Sequence, residues 1–333
     1  MKLFIFGSTG DLVNRKVLPA LQNFNSEKLE IYAIGRKNIT QEKYLHHVCS
    51  EDRCTPIFQE SIKYIKLNFD KEDICGKKCI ANFDQNKTNY VYISLPPSQI
   101  KKILYSLKKF KELNYSIKIL IEKPFGSNLL EAKELKQLIE ENNLGKDIFL
   151  SDHYLFKQNI INLPKQDFTK LEIKSTEEVG LEGRTTYYNS VGALKDMVQS
   201  HFLNITQKIS KEELKDKIEI LEFKRGQYKN YSKELGKKSI IETFVKLKLK
   251  LNNKELIFTT GKALNQKESF LTINRTKYKF GIGNEYLEIF KKFINNEKNF
   301  FPTIEQAIKS WEIIEEIEKK KPDLFYYDNT YLF

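Results

Sequence analysis

The sequence has few of the features that mark exported or membrane-bound chains. Within its 333 residues, no stretch approaches the roughly 20 consecutive apolar residues that a membrane-spanning helix needs. The apolar run at residues 2–6 is far too short for a signal peptide and leads directly into a glycine-containing turn. These absences predict a cytoplasmic protein without membrane association.

Cysteine is also scarce, with four residues that all lie between positions 49 and 79. Without an export signal, we expect these cysteines to be reduced thiols. A histidine pair lies nearby, so a structural zinc site is the alternative, but the cysteine spacings match no common zinc module well. We therefore predict no metal. The four cysteines are Cys49, Cys54, Cys75 and Cys79.

The charge of the chain is basic but not concentrated. Lysine and arginine number 56 against 44 acidic residues, which gives a net charge of +12. The lysines are spread along the whole length, and no basic face with interleaved aromatic residues is present, so we expect no binding of nucleic acid. A basic field does favour small anionic ligands in a cleft.

The first half of the chain alternates apolar strand patterns with helical ones. Nearly continuous apolar strands between helices are typical of a parallel sheet that is covered on both faces. Residues 1–150 are therefore predicted to form an α/β, Rossmann-type dinucleotide-binding domain. The predicted strands are 2–7, 31–34, 90–95, 117–121 and 147–150, and the helices are 11–24, 100–113 and 129–143.

The pattern changes after residue 150, where strands are grouped together. Grouped strands with alternating polarity indicate an α+β domain with a mainly antiparallel sheet. Residues 151–333 are predicted to form this second domain, which would bind the substrate. The predicted strands are 168–174, 244–251, 255–260 and 270–274, and the helices are 191–209, 285–296 and 303–319.

The turn after the first strand indicates a nucleotide site. Gly7–Leu12 (Gly-Ser-Thr-Gly-Asp-Leu) stands between a strand and a helix, where glycine lets a pyrophosphate approach the helix N-terminus. The second strand ends in Gly35-Arg36-Lys37, without the acidic residue that favours NAD. An arginine at this position can pair with a 2′-phosphate, so we predict NADP as the cofactor, with NAD as the alternative. A solvated Arg-Lys pair that binds no cofactor is the other interpretation of these two residues.

Histidine is rare, and two of the four histidines are candidates for proton transfer. His153 and His201 each neighbour charged residues, and an imidazole titrates near neutral pH. A single histidine is more often structural, so these residues alone do not identify an active site.

Several short motifs follow one another along the chain. They are Ser94–Ser98 (Ser-Leu-Pro-Pro-Ser), Glu122–Gly126 (Glu-Lys-Pro-Phe-Gly), Asp152–Lys157 (Asp-His-Tyr-Leu-Phe-Lys), Glu182–Arg184 (Glu-Gly-Arg), Gly192–His201 and Gly261–Leu264 (Gly-Lys-Ala-Leu). Together with the Gly7–Leu12 turn, they resemble the motifs of the glucose-6-phosphate dehydrogenase family in the same order. The sequence is identified as a shortened member of that family.

The resemblance implies oxidation of glucose 6-phosphate to 6-phosphogluconolactone with reduction of NADP, as in the oxidative pentose phosphate pathway. It implies that His201 is the general base, that Asp152 orients it, and that Lys123 lies near the C1 oxygen. His153, Tyr154 and Lys157 would hold the 6-phosphate, Glu177 and Asp196 the sugar hydroxyls, and Lys262 and Lys267 the phosphate or ring hydroxyls. The implied cofactor contacts are Gly7, Ser8, Thr9, Gly10, Asp11, Leu12, Arg36, Ser94, Leu95, Pro96 and Lys123.

Three departures from the family pattern leave alternatives open. The second domain is shortened, although the resemblance implies a homo-oligomer, either a dimer or a tetramer, formed through that domain. Phe156 replaces a glycine and is expected to narrow the phosphate pocket, and Ser200 replaces an asparagine before His201. The alternatives are a dehydrogenase of another hexose, hexosamine, hexose phosphate or unphosphorylated sugar, and a sensor that binds the same ligands without turnover.

Overall fold

A computed structural model describes residues 1–24, 29–49, 53–68, 81–181, 183, 185–214, 218–251, 253–281 and 283–329. The chain forms two compact units. The first unit comprises Met1–Phe156 and Asn284–Ile304, and the second comprises Lys157–Gly283 and Glu305–Phe333. The division into domains at residue 150 stays a prediction, and the structure adds that the segment 284–304 packs with the first unit.

In the part of the first unit that the structure describes, six strands form a parallel sheet in the order β3-β2-β1-β4-β5-β6. Its inner strands are apolar and buried, because helices cover a parallel sheet on both faces. The predicted Rossmann-type fold is confirmed. The strands are β1 Lys2–Phe6, β2 Glu30–Gly35, β3 Ile62–Lys66, β4 Asn89–Ile93, β5 Ile117–Glu122 and β6 Ile148–Ser151.

The described helices of this unit lie between these strands, except for one that comes from the segment 284–304. A π-helical turn at Val13–Val17 continues into the helix Leu18–Gln22, and the later helices are Gln41–Val48, Pro56–Glu60, Pro97–Glu112, Leu129–Glu141 and Glu285–Ile294. Short 3₁₀ turns occur at His153–Phe156 and Lys298–Phe300. In the described part of the chain, none of the helices is both long enough and apolar enough for a membrane crossing.

Cys49 and Cys54 form a disulfide in this unit, between the helices Gln41–Val48 and Pro56–Glu60. The prediction of reduced thiols is therefore wrong for this pair. The two Cα atoms lie 5.0 Å apart, a separation that a disulfide spans. Cys75 and Cys79 lie outside the described residues.

Among the described residues of the second unit, seven strands form a sheet in the order β12-β11-β7-β10-β9-β8-β13. The pairs β7–β10 and β8–β13 are parallel and the other pairs are antiparallel, which confirms the predicted, mainly antiparallel sheet. The strands are β7 Lys170–Thr176, β8 Ile218–Tyr228, β9 Phe244–Leu251, β10 Lys254–Gly261, β11 Glu268–Ile273, β12 Thr276–Lys279 and β13 Leu324–Tyr327.

The helices of this unit are Thr185–Tyr188, Leu203–Ile209, Tyr231–Leu235 and Ile304–Glu318, and Leu194–Phe202 is π-helical. The predicted single helix 191–209 is thus two segments of different winding. Leu203 N–H donates to Val198 O, five residues earlier, as the wider winding requires.

Candidate active site

The turn after β1 is fixed between the ends of two neighbouring strands. The N–H groups of Gly7 and Ser8 both donate to the carbonyl of Ile34 in β2, at 3.0 Å. Gly7 has a φ of +87°, and a Cβ at this position would lie 2.2 Å from the carbonyl oxygen of Ser94, beyond β4. Only glycine satisfies both the dihedral and the close approach.

Two features of this turn fit an anionic group such as a pyrophosphate. Ser8 is buried, and its Oγ has no hydrogen-bond partner among the described residues. Gly10 N–H donates back to Gly7 O at 3.0 Å, and the chain enters its first helix directly afterwards, at Asp11 and Leu12. A buried donor and a helix N-terminus beyond a glycine turn are the groups that bind a dinucleotide in this type of fold.

Arg36 follows the last residue of β2 and is exposed. Its neighbour Gly35 lies against the turn, since a Cβ there would lie 3.0 Å from Thr9 Cγ2 and 3.3 Å from Ser8 Oγ. Arg36 is therefore adjacent to the candidate pyrophosphate turn, at the carboxyl end of the neighbouring strand. Two charges of opposite sign, Asp11 and Arg15, pair with each other at the start of the first helix.

Two tyrosines that the sequence analysis did not select support this region. The Tyr44 hydroxyl donates to Ser8 O at 3.2 Å, and the Tyr64 hydroxyl donates to Lys37 O at 2.7 Å. The two rings stack with their centroids 4.6 Å apart. They hold the turn and the end of β2 in place. The sequence has many aromatic residues, so nothing in it distinguished these two tyrosines from the others.

The end of β4 completes the strand edge around the turn. Ser94 N–H donates to Phe6 O at 2.9 Å, and Leu95 Cδ2 would lie 3.0 Å from a Cβ at Gly7. Pro96 then precedes the helix that begins at Pro97. Ser94 and Leu95, two of the predicted cofactor residues, therefore lie against the glycine turn.

Glu122, the last residue of β5, is buried beside Lys123. Tyr92 Oη donates to Glu122 Oε2 at 2.8 Å, and Tyr286 Oη donates to Oε1 at 3.4 Å. Burial is the main cause that raises the pKa of Glu122, and the nearby Asp152 adds to it, whereas hydrogen bonds from Tyr92 and Ser151 and the charge of Lys123 lower the pKa. The net result is a pKa of about 7. Glu122 therefore titrates near neutral pH.

The raised pKa of Glu122 makes the stability of the protein dependent on pH. Since the folded-state pKa of about 7 lies above the ordinary value of 4.5, the folded state binds this proton more tightly. Its contribution to stability is present below about pH 4.5 and is lost as the pH rises through 7, by about 3 kcal/mol. The free energy of unfolding is measured in urea at about pH 5 and at about pH 8. Between these two pH values it should fall by about 3 kcal/mol less in Glu122→Gln than in the wild type.

Glu140→Gln is the matched control, because Glu140 is exposed on the helix Leu129–Glu141. It should leave the pH dependence as in the wild type. An equal fall in stability for wild type and Glu122→Gln would show that Glu122 does not carry this proton.

Asp152, His153 and Tyr154 follow β6, which pairs with β5 so that Glu122 is opposite Ser151. Asp152 is buried, and its Oδ1 accepts the N–H of Tyr154 at 3.0 Å. The His153 ring lies nearly parallel to the ring of Tyr286, with centroids 6.1 Å apart. The first unit thus brings the Gly7 turn, Lys123 and the Asp152 motif together at the carboxyl edge of its sheet.

Phe156 belongs to the core of the first unit. Its side chain is buried and packs against Phe301, with ring centroids 5.1 Å apart. The expectation that it narrows the phosphate pocket stays a prediction.

In the second unit, Glu177 and Lys262 form an ion pair. They follow the parallel strands β7 and β10, whose last residues, Thr176 and Gly261, are opposite each other. Carboxyl ends of parallel strands meet at one edge, which explains why residues 85 positions apart are neighbours. Lys262 is largely buried, and Lys267 is exposed just before β11.

The π-helix determines how Asp196 and His201 are placed relative to each other. They are five residues apart, so in a helix with i→i+5 hydrogen bonds they lie one turn apart on the same side. An α-helix would place them on different sides. His201 is 1% exposed, and Ser200 donates through Oγ to Lys195 O at 3.1 Å.

A buried tyrosine that was not predicted joins the acidic residues of the second unit. Burial raises the pKa of Tyr188 well above its ordinary value, and the charges of Asp196, Glu242 and Glu177 raise it further. These three carboxylates therefore lie near enough to the buried phenol to act on its pKa. They include Asp196 and Glu177, which the sequence selected independently.

Lys157, also in the second unit, is half-buried, and its carbonyl accepts the N–H of Ile160 at 2.8 Å. His201 belongs to this unit and Asp152 to the first. Glu182 and Arg184 of the Glu-Gly-Arg motif lie outside the described residues.

Comparison with known families and relatives gives consistent results. Residues 4–162 match the family described as "Glucose-6-phosphate dehydrogenase, NAD binding domain", and residues 156–217 match the corresponding "C-terminal domain". A glucose-6-phosphate 1-dehydrogenase of Borreliella burgdorferi is 30% identical over 85% of this chain and 72% of its own length. One from Helicobacter pylori is 30% identical over 74% of this chain and 68% of its own length.

Solved structures share the fold. The crystal structure of a glucose-6-phosphate 1-dehydrogenase from Mycobacterium avium superposes with a TM-score of 0.82 at 18% identity, covering 99% of this chain and 94% of that one. A 3-ketoreductase from Actinomadura kijaniata, in complex with NADP, matches with a TM-score of 0.57 at 12% identity, covering 98% of this chain and 99% of that one. The fold therefore also occurs in a 3-ketoreductase.

Proposed function

Since the chain belongs to the glucose-6-phosphate dehydrogenase family, we propose that it oxidises glucose 6-phosphate to 6-phosphogluconolactone and reduces NADP. The observation that carries the proposal is the collection of family motifs at one edge of each unit's sheet. In the first unit these are the Gly7 turn, Lys123 and Asp152, and in the second they are Glu177 and Lys262. Ligands of open α/β sheets bind at the carboxyl ends of the strands.

The proton and the hydride that leave the sugar have different acceptors. His201 is proposed to accept the proton of the C1 hydroxyl as the carbonyl forms, and Asp152 to orient the imidazole and stabilise its charged form. Lys123 is proposed to stabilise the C1 oxygen. Bound NADP would supply the acceptor for the hydride that leaves C1.

The sugar phosphate needs cationic donors at one end and acceptors at the other. His153, Tyr154 and Lys157 are proposed to donate to the phosphate, with Lys267 nearby, because phosphate is bound best by several charged or polar donors. Glu177 and Asp196 are proposed to accept from ring hydroxyls, with Lys262 between phosphate and ring. The ion pair of Lys262 with Glu177 keeps both side chains at the same strand edge.

The cofactor is proposed to be NADP. The glycine turn with Ser8, Thr9 and Gly10 would hold the pyrophosphate, the Ser94–Pro96 segment would flank it, and the exposed Arg36 would pair with the 2′-phosphate. A cytoplasmic location and a homo-oligomeric state, dimer or tetramer, stay predictions.

Arg36→Ala should reduce the preference for NADP over NAD. The loss of a charge-assisted contact to the 2′-phosphate is expected to raise the KM for NADP about tenfold or more, while the KM for NAD changes little. The measurement is kcat/KM with each cofactor at saturating sugar phosphate. Lys133→Ala, an exposed lysine on the helix Leu129–Glu141, is the control and should change neither value. A proportional loss with both cofactors would contradict the role of Arg36.

A substrate panel tests the reaction. Formation of reduced cofactor is followed with glucose 6-phosphate, glucose, glucosamine 6-phosphate and galactose 6-phosphate. The proposal expects the highest kcat/KM with glucose 6-phosphate, and a far lower value with glucose because the phosphate contacts are then missing. A high rate with another sugar and none with glucose 6-phosphate would overturn it, and binding without any turnover would indicate a sensor.

A further inference from the structure

The last strand of the second unit, β13, ends in a buried tyrosine that none of the motifs includes. Tyr327 is 2% exposed, whereas its neighbour Tyr326 is 60% exposed. The hydroxyl of Tyr327 reaches the main chain of Lys262, 65 residues away in sequence. We propose that Tyr327 is a positioning residue, which fixes the backbone that carries Lys262 and thereby sets the affinity for the sugar phosphate. The proposal rests on the proposed function, because it assigns Lys262 to the sugar site.

The hydrogen bonds around Tyr327 form a chain with one direction. Its single hydroxyl proton goes to Lys262 O at 2.6 Å. The 2.8 Å contact between Tyr327 Oη and Thr243 Oγ1 is therefore made by the proton of Thr243. Thr243 Oγ1 in turn accepts the N–H of Tyr228 at 2.9 Å. Because every proton is used once, removal of the Tyr327 hydroxyl leaves both Thr243 and the Lys262 carbonyl without this partner.

The backbone at Lys262 needs such support. Ala263, the next residue, has a φ of +51°, in the left-handed region that is unfavourable for alanine. Lys262 N–H donates to Thr243 O at 3.0 Å, and Ala263 N–H donates to Val179 O at 2.9 Å. The hydroxyl of Tyr327 is the contact to the Lys262 carbonyl, at the peptide unit that enters the strained residue. It therefore helps to hold the turn that directs Lys262 towards Glu177.

The two-residue segment before β9, Glu242-Thr243, also contacts the start of the π-helix that carries Asp196. Glu242 precedes Thr243, and its carbonyl accepts the N–H of Ala193 at 3.1 Å. Its buried carboxylate accepts the N–H of Leu194 at 3.3 Å and lies 3.2 Å from Arg225 Nη1. Glu242 and Thr243 thus link the start of the π-helix to the Lys262 turn. The Tyr327 hydroxyl contacts both Thr243 and Lys262 in this region.

Tyr327→Phe should raise the KM for glucose 6-phosphate about tenfold, the size expected when a buried hydrogen-bonding group loses its partner. The KM for NADP should stay within about twofold of the wild type, because the affected residues belong to the second unit. The measurement is initial rates with each substrate varied separately. Tyr326→Phe is the matched control, since it removes the same atom from the same strand at an exposed position, and it should change neither KM.

A double-mutant cycle separates positioning from a general loss of stability. In a Lys262→Ala background the lysine is already gone, so Tyr327→Phe should raise the KM for glucose 6-phosphate by less than twofold further. An unchanged KM in the single variant, or full additivity in the double variant, would overturn the proposal. If Tyr327→Phe does not fold, Thr243→Val interrupts the same chain and is judged by the same criteria.

Failure of the proposed function is a separate outcome. It shows in the wild type, as absence of turnover with glucose 6-phosphate. The KM is then measured for whichever sugar in the panel is oxidised, and Tyr327→Phe must raise that KM for the positioning role to hold.

Discussion

Replacement of His201 by asparagine is expected to lower kcat for glucose 6-phosphate oxidation by a factor of about 10²–10⁴, because it removes the general base. His201 is almost completely buried in the π-helix, on the side that Asp196 shares. Asparagine keeps a polar side chain, although a smaller one, and cannot take up a proton near neutral pH. The check is kcat at saturating concentrations of both substrates.

His46→Asn is the matched control, because His46 is exposed on the helix Gln41–Val48 of the first unit. Its kcat should equal that of the wild type. Circular dichroism and urea unfolding show whether the His201 variant is folded. A folded variant with more than about one third of the wild-type kcat would exclude His201 as the base.

Gly7→Ala is expected to lower the free energy of unfolding by about 4 kcal/mol and to abolish measurable saturation with NADP. A left-handed dihedral costs a non-glycine residue about 1–3 kcal/mol, and overpacking adds about 1–3 kcal/mol. At Gly7 both apply, since φ is +87° and a Cβ would lie 2.2 Å from Ser94 O. The measurements are urea unfolding and the dependence of rate on NADP.

Substitutions at two other glycines distinguish the cost of the left-handed dihedral from the cost of overpacking. Gly236 has a φ of +76° but its Cβ would meet no described atom within 4 Å, so Gly236→Ala should show the strain alone, about 1 kcal/mol. Gly145 has no positive φ, and a Cβ there would meet no described atom within 4 Å, so Gly145→Ala should be near neutral. If Gly7→Ala is no more destabilising than Gly236→Ala, the turn is not fixed against Ser94.

The sequence predicted those parts of the fold in which local pattern and burial agree. β1, β4 and β5 are continuous apolar runs in a parallel sheet, and the predicted strands match them closely. β3 was missed because two lysines interrupt this half-exposed strand at the sheet edge. β8 was missed because a register shift between Ile220 and Glu222 breaks the alternation that marks a strand.

For the candidate site, motifs identified single residues but not the contacts between them. Glu122 was visible in its motif, yet its partner Tyr286 lies 164 residues away. Other residues of the second unit belong to none of the motifs, namely Tyr188, Glu242 and Tyr327. Only the folded sheet brings them near the residues that the motifs identified. The π-helical winding at Asp196 and His201 depends on hydrogen-bond geometry that residue periodicity does not reveal.

The origin of the transferred hydrogen tests the central claim most directly. The protein is incubated with NADP and glucose 6-phosphate that carries deuterium at carbon 1, and the reduced cofactor is analysed by mass spectrometry. Oxidation at carbon 1 by hydride transfer predicts a reduced cofactor that is heavier by one deuterium. A reduced cofactor without deuterium, or no reduced cofactor at all, would contradict the account.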